Sequence, residues 1–139
     1  MKITLLGDDG IRLEDSAGML TIEAQTAGEQ YTPFHMLASG LAACTFSVLH
    51  SWAGHAAIDA APLVIEVRWT FAEGPHRVGA MTVGLRWPGL PEERKPAAQR
   101  AAALCAVHKT LEHPPALTIE HLSAMAVPGP DQSRGGLQS

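Results

Sequence analysis

The sequence predicts a single α+β domain, and three observations support that prediction. The chain has 139 residues, of which 46% are hydrophobic and 17% are charged, a composition that suits one compact core. Short segments in which apolar and polar residues alternate indicate strands, whereas two longer apolar or alanine-rich segments indicate helices. Their order is three strands, a helix, two strands, a helix and a final strand, which is an α+β plan.

The first part of the chain predicts three short strands. They run from Ile3 to Leu6, from Ile11 to Glu14 and from Met19 to Gln25, and turns rich in Gly, Asp and Ser separate them. Apolar and polar residues alternate over 20–25, as they do in a strand with one buried face. We therefore expect an antiparallel meander.

A long helix follows these strands. Thr32 is a suitable N-cap, Pro33 suits the first helical position, and Gly54 marks the end. The helix is apolar nearly all round, which predicts a central position in the fold. It extends about 33 Å at roughly 1.5 Å per residue, more than one small sheet covers. We therefore expect an intertwined homodimer with central buried helices wrapped by antiparallel sheets; a monomer with a thick core is the alternative.

The next two strands form a predicted hairpin. Residues 63–71 and 81–87 alternate between apolar and polar types, and a Gly-Pro turn lies between them. The apolar face carries Trp69, Phe71 and Trp87, which we expect to be core residues rather than a substrate platform.

The C-terminal part predicts a second helix and a last strand. The helix has an alanine-rich body from Ala97 to Leu111, preceded by two glutamates, and Ala116 to Val127 return as a strand. The domain is expected to span residues 1–127. Residues 128–139 have the Gly, Pro and Ser content of a flexible tail.

Composition argues against several classes of partner. The net charge is −4 and the basic residues are scattered, which disfavours nucleic acid. The N-terminus turns acidic after a few residues, unlike a secretory signal. The longest apolar stretch, Met36 to Leu49, has about 14 residues, fewer than the roughly 20 that span a bilayer. We expect a cytoplasmic protein with no nucleic-acid or membrane partner.

Cys44 and Cys105 are the two cysteines of the chain. In a reducing compartment, two cysteines indicate reactive thiols or inert core residues more than a structural disulfide. Cys44 falls well inside the first predicted helix and Cys105 inside the second, so helix packing decides whether the sulfurs meet. No C-x-x-C or H-x-x-x-H ligand pair occurs, so we predict no metal site.

The segment from Tyr31 to Phe46, YTPFHMLASGLAACTF, together with the segment from Leu104 to Leu111, LCAVHKTL, resembles the OsmC/Ohr family. The similarity covers nearly all of residues 1–127, including the strand order. It implies an OsmC-like βββαββαβ fold built as an intertwined dimer with active sites at the interface. It also implies a peroxidase that reduces organic hydroperoxides in oxidative stress defence.

The resemblance assigns a role to each cysteine. Cys44 matches the attacking cysteine, whose thiolate displaces an alcohol from the peroxide and becomes a sulfenic acid. Cys105 matches the resolving cysteine, which condenses with the sulfenic acid to a disulfide, and a dithiol reductant then resets the pair. Sulfur carries both electrons, so no metal or other cofactor is implied.

The chain departs from the family pattern at the groups that ionise the attacking cysteine. Typical members place an arginine there, held by a glutamate of the first helical turn. In this chain Phe34 occupies the glutamate position, and Arg12 is the basic residue closest to the arginine position. We expect Arg12 to substitute, with His35 and His108 as further candidates, because an imidazolium lowers a thiol pKa and can protonate an alkoxide.

His35 and His108 also have purely structural interpretations. His35 also suits a polar position at a helix start, and His108 an exposed helix position. The missing glutamate and the displaced arginine favour a second function, in which the fold binds a small apolar ligand or a thiol compound in the interface pocket without turnover. A third interpretation is a stable dimer whose cysteines only pack. Phe34, Met36 and Phe46 are expected to line an apolar pocket near Cys44.

Overall fold

The computed structural model describes residues 1–123 and contains one five-stranded sheet and three α-helices. The predicted α+β class is confirmed. The strands are β1 (Lys2–Leu5), β2 (Gly10–Glu14), β3 (Thr21–Ala24), β4 (Val64–Ala72) and β5 (Arg77–Arg86), and the helices are α1 (Pro33–Ala56), α2 (Lys95–Ala102) and α3 (Ala106–Glu112).

The strand order in the sheet is β3-β1-β2-β4-β5. Strands β1, β2, β4 and β5 pair antiparallel in that order, but β3 pairs parallel to β1. The predicted meander is therefore wrong at its third strand. Every residue of β3 is exposed, so the alternation over 20–25 does not mark a buried face. The strand sits at the sheet edge, where the helices do not cover it.

One face of the sheet forms the core with α1. Residues that alternate along β1, β2 and β4 point to this face and are at most 2% exposed: Ile3, Leu5, Ile11, Leu13, Ile65 and Val67. Leu41, Ala42 and Leu49 of α1 pack against them. The opposite face carries the charged residues of the same strands, which follows from the two-residue period of a strand.

The predicted aromatic core residues are confirmed at two of three positions. Trp69 and Trp87 are buried, and the Trp87 Nε1–H donates to the Asp59 carbonyl at 2.9 Å. Phe71 is 42% exposed, because it lies beyond a register shift in β4 at the end of the sheet. There it meets Phe34 edge-on, with ring centroids 4.9 Å apart.

Helix α1 begins at the predicted N-cap, Thr32, but continues past Gly54 to Ala56, where Ala57 adopts a left-handed conformation. It is not enclosed all round within one chain, since Met36 and Leu37 are 54% and 38% exposed. The helix is long and apolar enough to cross a membrane by composition alone. Its packing on the sheet is that of a core helix.

The C-terminal elements differ from the prediction in two ways. The second helix is interrupted at residues 103–105, so that α2 and α3 are separate helices. Residues 116–123 contain no strand. Leu117, Ile119 and Leu122 are at least 83% exposed, and among residues 1–123 this segment pairs with no strand of the sheet. The rest of the predicted strand, 124–127, and the predicted tail, 128–139, lie outside the described residues.

Candidate active site

Cys44 lies on the side of α1 that faces α3. Phe34, Leu37 and Leu41 precede it at helical spacings of three and four residues, so the four side chains form one stripe along α1. The thiol is half-buried. The stripe therefore leads from the start of α1 to the sulfur.

Cys105 is the N-cap residue of α3 and not, as predicted, a residue inside a helix. Its backbone is extended, with φ −54° and ψ 132°, and its side chain is fully buried. The His108 backbone N–H donates to Cys105 Sγ at 3.4 Å. The sulfur thus fills the capping role usually taken by a serine or aspartate oxygen, and this local geometry separates α3 from α2.

The interruption brings the two sulfurs together. Both cysteines are free thiols, and the Cys105 thiol is hydrogen-bonded to Cys44. Burial acts to raise the pKa of Cys44, but the Cys105 thiol and the N–H groups of Val107 and Ala106 outweigh it and hold that pKa below its ordinary value. These groups donate to the thiolate and so favour the charged form.

Cys105 is affected in the opposite direction. Burial raises the pKa of the Cys105 thiol, and its hydrogen bond to Cys44 raises it further because the bond requires the proton to stay on Cys105. Two adjacent sulfurs cannot both ionise at low cost, so ionisation of Cys44 disfavours ionisation of Cys105. Of the two thiols, Cys44 is therefore the one that ionises more readily.

Arg12 lies away from this pair within the chain. Its neighbours Ile11 and Leu13 point into the core, so Arg12 points to the opposite face of the sheet from α1. There its Nε donates to Glu14 Oε1 at 3.0 Å. Among residues 1–123, the groups that lower the Cys44 pKa are backbone N–H groups and a thiol, and the expected basic side chain is not among them.

His35 has a structural role. The ring is 1% exposed; the Thr32 N–H donates to Nδ1 at 3.1 Å, and Nε2–H donates to the Gly7 carbonyl at 2.8 Å. Gly7 has a φ of +80°, a conformation that favours glycine and that turns this carbonyl toward the helix. His35 therefore joins the start of α1 to the β1–β2 turn.

His108 lies at the junction of two cavities. The larger, about 710 Å³, runs between β5, the stripe of α1 and α3, and its apolar lining includes Phe34, Leu37, Leu41 and Met81. The smaller, about 380 Å³, runs between β5 and α2. Val83 and His108 line both. His108 Nε2 also contacts Glu112 Oε1 one turn later in α3.

The expected apolar pocket is thus present but differs in composition. Phe34 lines the larger cavity. Met36 is mostly exposed, and Phe46 is buried in the core, 6% exposed. Within residues 1–123 no group of three His, Cys, Asp or Glu side chains is arranged to hold a metal ion.

Sequence reasoning missed the N–H groups of Ala106 and Val107 and the partner of His108. No glycine or proline marks the break before Ala106, because residues 97–113 contain neither. Glu112 was detectable, since it lies four residues after His108, a spacing that places oppositely charged groups side by side on a helix.

Comparison with known proteins identifies the family of the chain. A family model for OsmC-like proteins matches residues 6–120. A solved structure from Psychrobacter arcticus 273-4, described as an osmotic stress induced and detoxification response protein, superposes with a TM-score of 0.55 at 22% identity, covering 78% of this chain and 84% of the other. No curated protein matches the chain. Since the match extends over most of the sequence and includes both cysteines, the chain belongs to the OsmC-like protein family.

Proposed function

We propose that this protein is a thiol-dependent peroxidase that reduces organic hydroperoxides with Cys44 and Cys105. The observation that supports this most directly is the hydrogen-bonded pair of free thiols, in which the pKa of one sulfur is lowered and that of the other is raised. A nucleophilic thiolate beside a protonated thiol is the arrangement that a two-cysteine cycle requires.

The cycle has three steps. The Cys44 thiolate attacks the distal oxygen of the hydroperoxide, the O–O bond breaks, and the alkoxide leaves as Cys44 becomes a sulfenic acid. The Cys105 thiol then attacks the Cys44 sulfur, so that an S–S bond forms and the sulfenic oxygen leaves as water. A dithiol reductant supplies two electrons and two protons, restoring both thiols. Sulfur carries both electrons, so the cycle needs no cofactor.

The site also suits a bulky apolar peroxide. Phe34, Leu37 and Leu41 line the larger cavity and share a face of α1 with Cys44, and such lining favours a hydrocarbon tail over water. We therefore expect cumene hydroperoxide to react faster than hydrogen peroxide.

Thiol counting tests the proposal. Reduced protein treated with cumene hydroperoxide should lose two free thiols per chain and form an intramolecular disulfide. Cys44→Ser should abolish peroxide consumption, whereas Cys105→Ser should accumulate a sulfenic acid that dimedone traps. Unchanged thiols in excess peroxide, or equal activity of the two variants, would refute the proposal.

We further propose that the chain acts as a homodimer in the cytoplasm, in defence against oxidative stress. Two unpaired apolar features support the dimer: the exposed Met36 and Leu37 of α1, and the exposed Leu117, Ile119 and Leu122 of the C-terminal segment. Exposed apolar groups at this density are typical of an interface. Light scattering coupled to size exclusion should give twice the chain mass of 14.7 kDa; a monomer at micromolar concentration would refute it.

A non-catalytic alternative is favoured by the cavities. A space of about 710 Å³ with mainly apolar lining suits a small apolar ligand, and Phe34 replaces the glutamate of the peroxidase branches. In that case an apolar fluorophore would bind with the same affinity to wild type and to Cys44→Ser, and the thiols would not respond to peroxide.

A further inference from the structure

The proposed reaction releases an alkoxide, a strong base that needs a proton as the O–O bond breaks. Neither sulfur is a suitable source. Cys44 has already given up its proton when it attacks, and the Cys105 thiol is fully buried and directed at Cys44. The groups on Cys44 from α3 are amide N–H groups, which donate hydrogen bonds but do not release protons. A separate, positioned acid would therefore accelerate this step.

We propose that His108, oriented by Glu112, is the general acid that protonates the departing alkoxide; this inference rests on the proposed peroxidase function. His108 lies in the first turn of α3, next to Val107, whose N–H contacts the Cys44 sulfur. The His108 backbone N–H donates to Cys105 Sγ at 3.4 Å, so the residue is anchored to the cysteine pair through its main chain.

The His108 side chain lies beside the cavities with one ring nitrogen held by a carboxylate. Glu112 holds Nε2, while Nδ1 has no hydrogen-bond partner among the residues that the structure describes. The ring is partly exposed and lines both cavities, one of which continues along the α1 stripe that carries Cys44. A carboxylate on one ring nitrogen fixes the orientation of the ring and so of the other nitrogen.

The proton balance closes with these groups. Cys44 loses a proton when it ionises, and His108 gains one to become the imidazolium. When the thiolate takes the distal OH of the peroxide, the imidazolium gives its proton to the alkoxide oxygen, and the alcohol leaves. His108 ends neutral and Cys44 ends as the sulfenic acid. Glu112 keeps its charge and acts as a positioning residue.

Other charged groups line the same cavities but are placed differently. Lys95 lies in the smaller cavity and is paired with Glu92 at 2.6 Å. His76 and Arg77 lie at the β4–β5 turn, where His76 is paired with Glu73. Of the titratable groups lining the two cavities, His108 is the one that both cavities share and that is tied to the cysteine pair.

The leaving group tests this role. An alkyl hydroperoxide releases an alkoxide, whereas a peracid releases a carboxylate that is stable without protonation. His108→Gln should therefore lower the rate with tert-butyl hydroperoxide by about a hundredfold and leave the rate with peracetic acid within about threefold of wild type. Glu112→Gln should lower the ratio of the tert-butyl hydroperoxide rate to the peracetic acid rate by about tenfold. His113→Gln, an exposed histidine at the end of α3, is the matched control and should leave the ratio unchanged.

Iodoacetamide alkylation of Cys44, at a pH above its titration, should be equal in all variants and shows that the site is intact. An unchanged ratio of the two rates in His108→Gln would overturn the general-acid role alone. Equal losses with both oxidants would also overturn it, because they would indicate damage to the site. Failure of the wild-type protein to consume either oxidant would refute the peroxidase function together with this inference.

Discussion

The hydrogen bond from Cys105 to Cys44 predicts that two substitutions at one position will have different effects. Cys105→Ala removes the donor that lowers the Cys44 pKa, whereas Cys105→Ser keeps an O–H donor in nearly the same place. Both variants lack the resolving sulfur. Any difference between them in Cys44 ionisation therefore reports the hydrogen bond and not the disulfide step.

The size of the effect follows from the geometry. A hydrogen bond to a charged group contributes about 1.5–3 kcal/mol, and each 1.4 kcal/mol corresponds to roughly a factor of ten. Cys44 is half-buried and keeps its contacts with the Ala106 and Val107 N–H groups, so the lower limit applies. We expect Cys44 of Cys105→Ala to react about tenfold more slowly than Cys44 of Cys105→Ser.

Iodoacetamide alkylation followed by intact mass measures this rate. The reaction is run at a pH below the Cys44 titration, where the rate is proportional to the thiolate fraction. Cys105→Ala also loses the cap of α3, at a cost of about 1 kcal/mol, so circular dichroism should establish that both variants are folded. The same two variants with Cys44→Ser supply the background.

Equal rates for the two variants would refute the reasoning, because the Cys105 side chain would then not be a donor to Cys44. A faster reaction of the alanine variant would show that burial beside a second sulfur dominates the Cys44 environment. In both cases the ionisation of Cys44 would have to come from the backbone of α3 alone.

Three further predictions concern the surrounding residues. Iodoacetamide should modify Cys44 at a lower pH than a free thiol, because its pKa is lowered, and Cys105 only at a higher pH, because its pKa is raised; labelling in the reverse order would contradict this. Arg12→Ala should leave alkylation of Cys44 within about twofold of wild type and stability within about 1 kcal/mol, since its ion pair with Glu14 is partly exposed; a tenfold loss would place the guanidinium over Cys44. His35→Ala should lower the free energy of unfolding in urea by about 2–4 kcal/mol, because it removes a buried ring and two hydrogen bonds; an unchanged urea midpoint would contradict its structural role.

Local patterns in the sequence predicted the features that depend on neighbours along the chain. The threonine and proline at 32 and 33 located the start of α1, and the resulting helical register determined which side chains share a stripe with Cys44. The alternation over residues 63–71 and 81–87 located β4 and β5. These signals arise from spacing and capping within a single element, so they do not depend on contacts between distant residues.

The two-residue period of β2 indicates the direction of the Arg12 side chain. Its neighbours Ile11 and Leu13 are large apolar residues, and the two-residue period of a strand places an intervening residue on the opposite face. The alternation over 10–14 therefore already pointed Arg12 away from a core helix. The family resemblance drew attention to Arg12 because of its position in the chain, but the strand period determines the face of the sheet to which its side chain points.

From the sequence alone, the α+β class, the central helix, the placement of Cys44 within it and the family resemblance could be determined, because each depends on residues close together in the chain. The tertiary structure decided that β3 runs parallel at an edge and that the second helix breaks before α3. It also decided that the groups that lower the Cys44 pKa are a thiol and backbone N–H groups, where a basic side chain was expected. These features depend on contacts between residues distant in sequence, such as Cys44 and Cys105, whose energies no local pattern records.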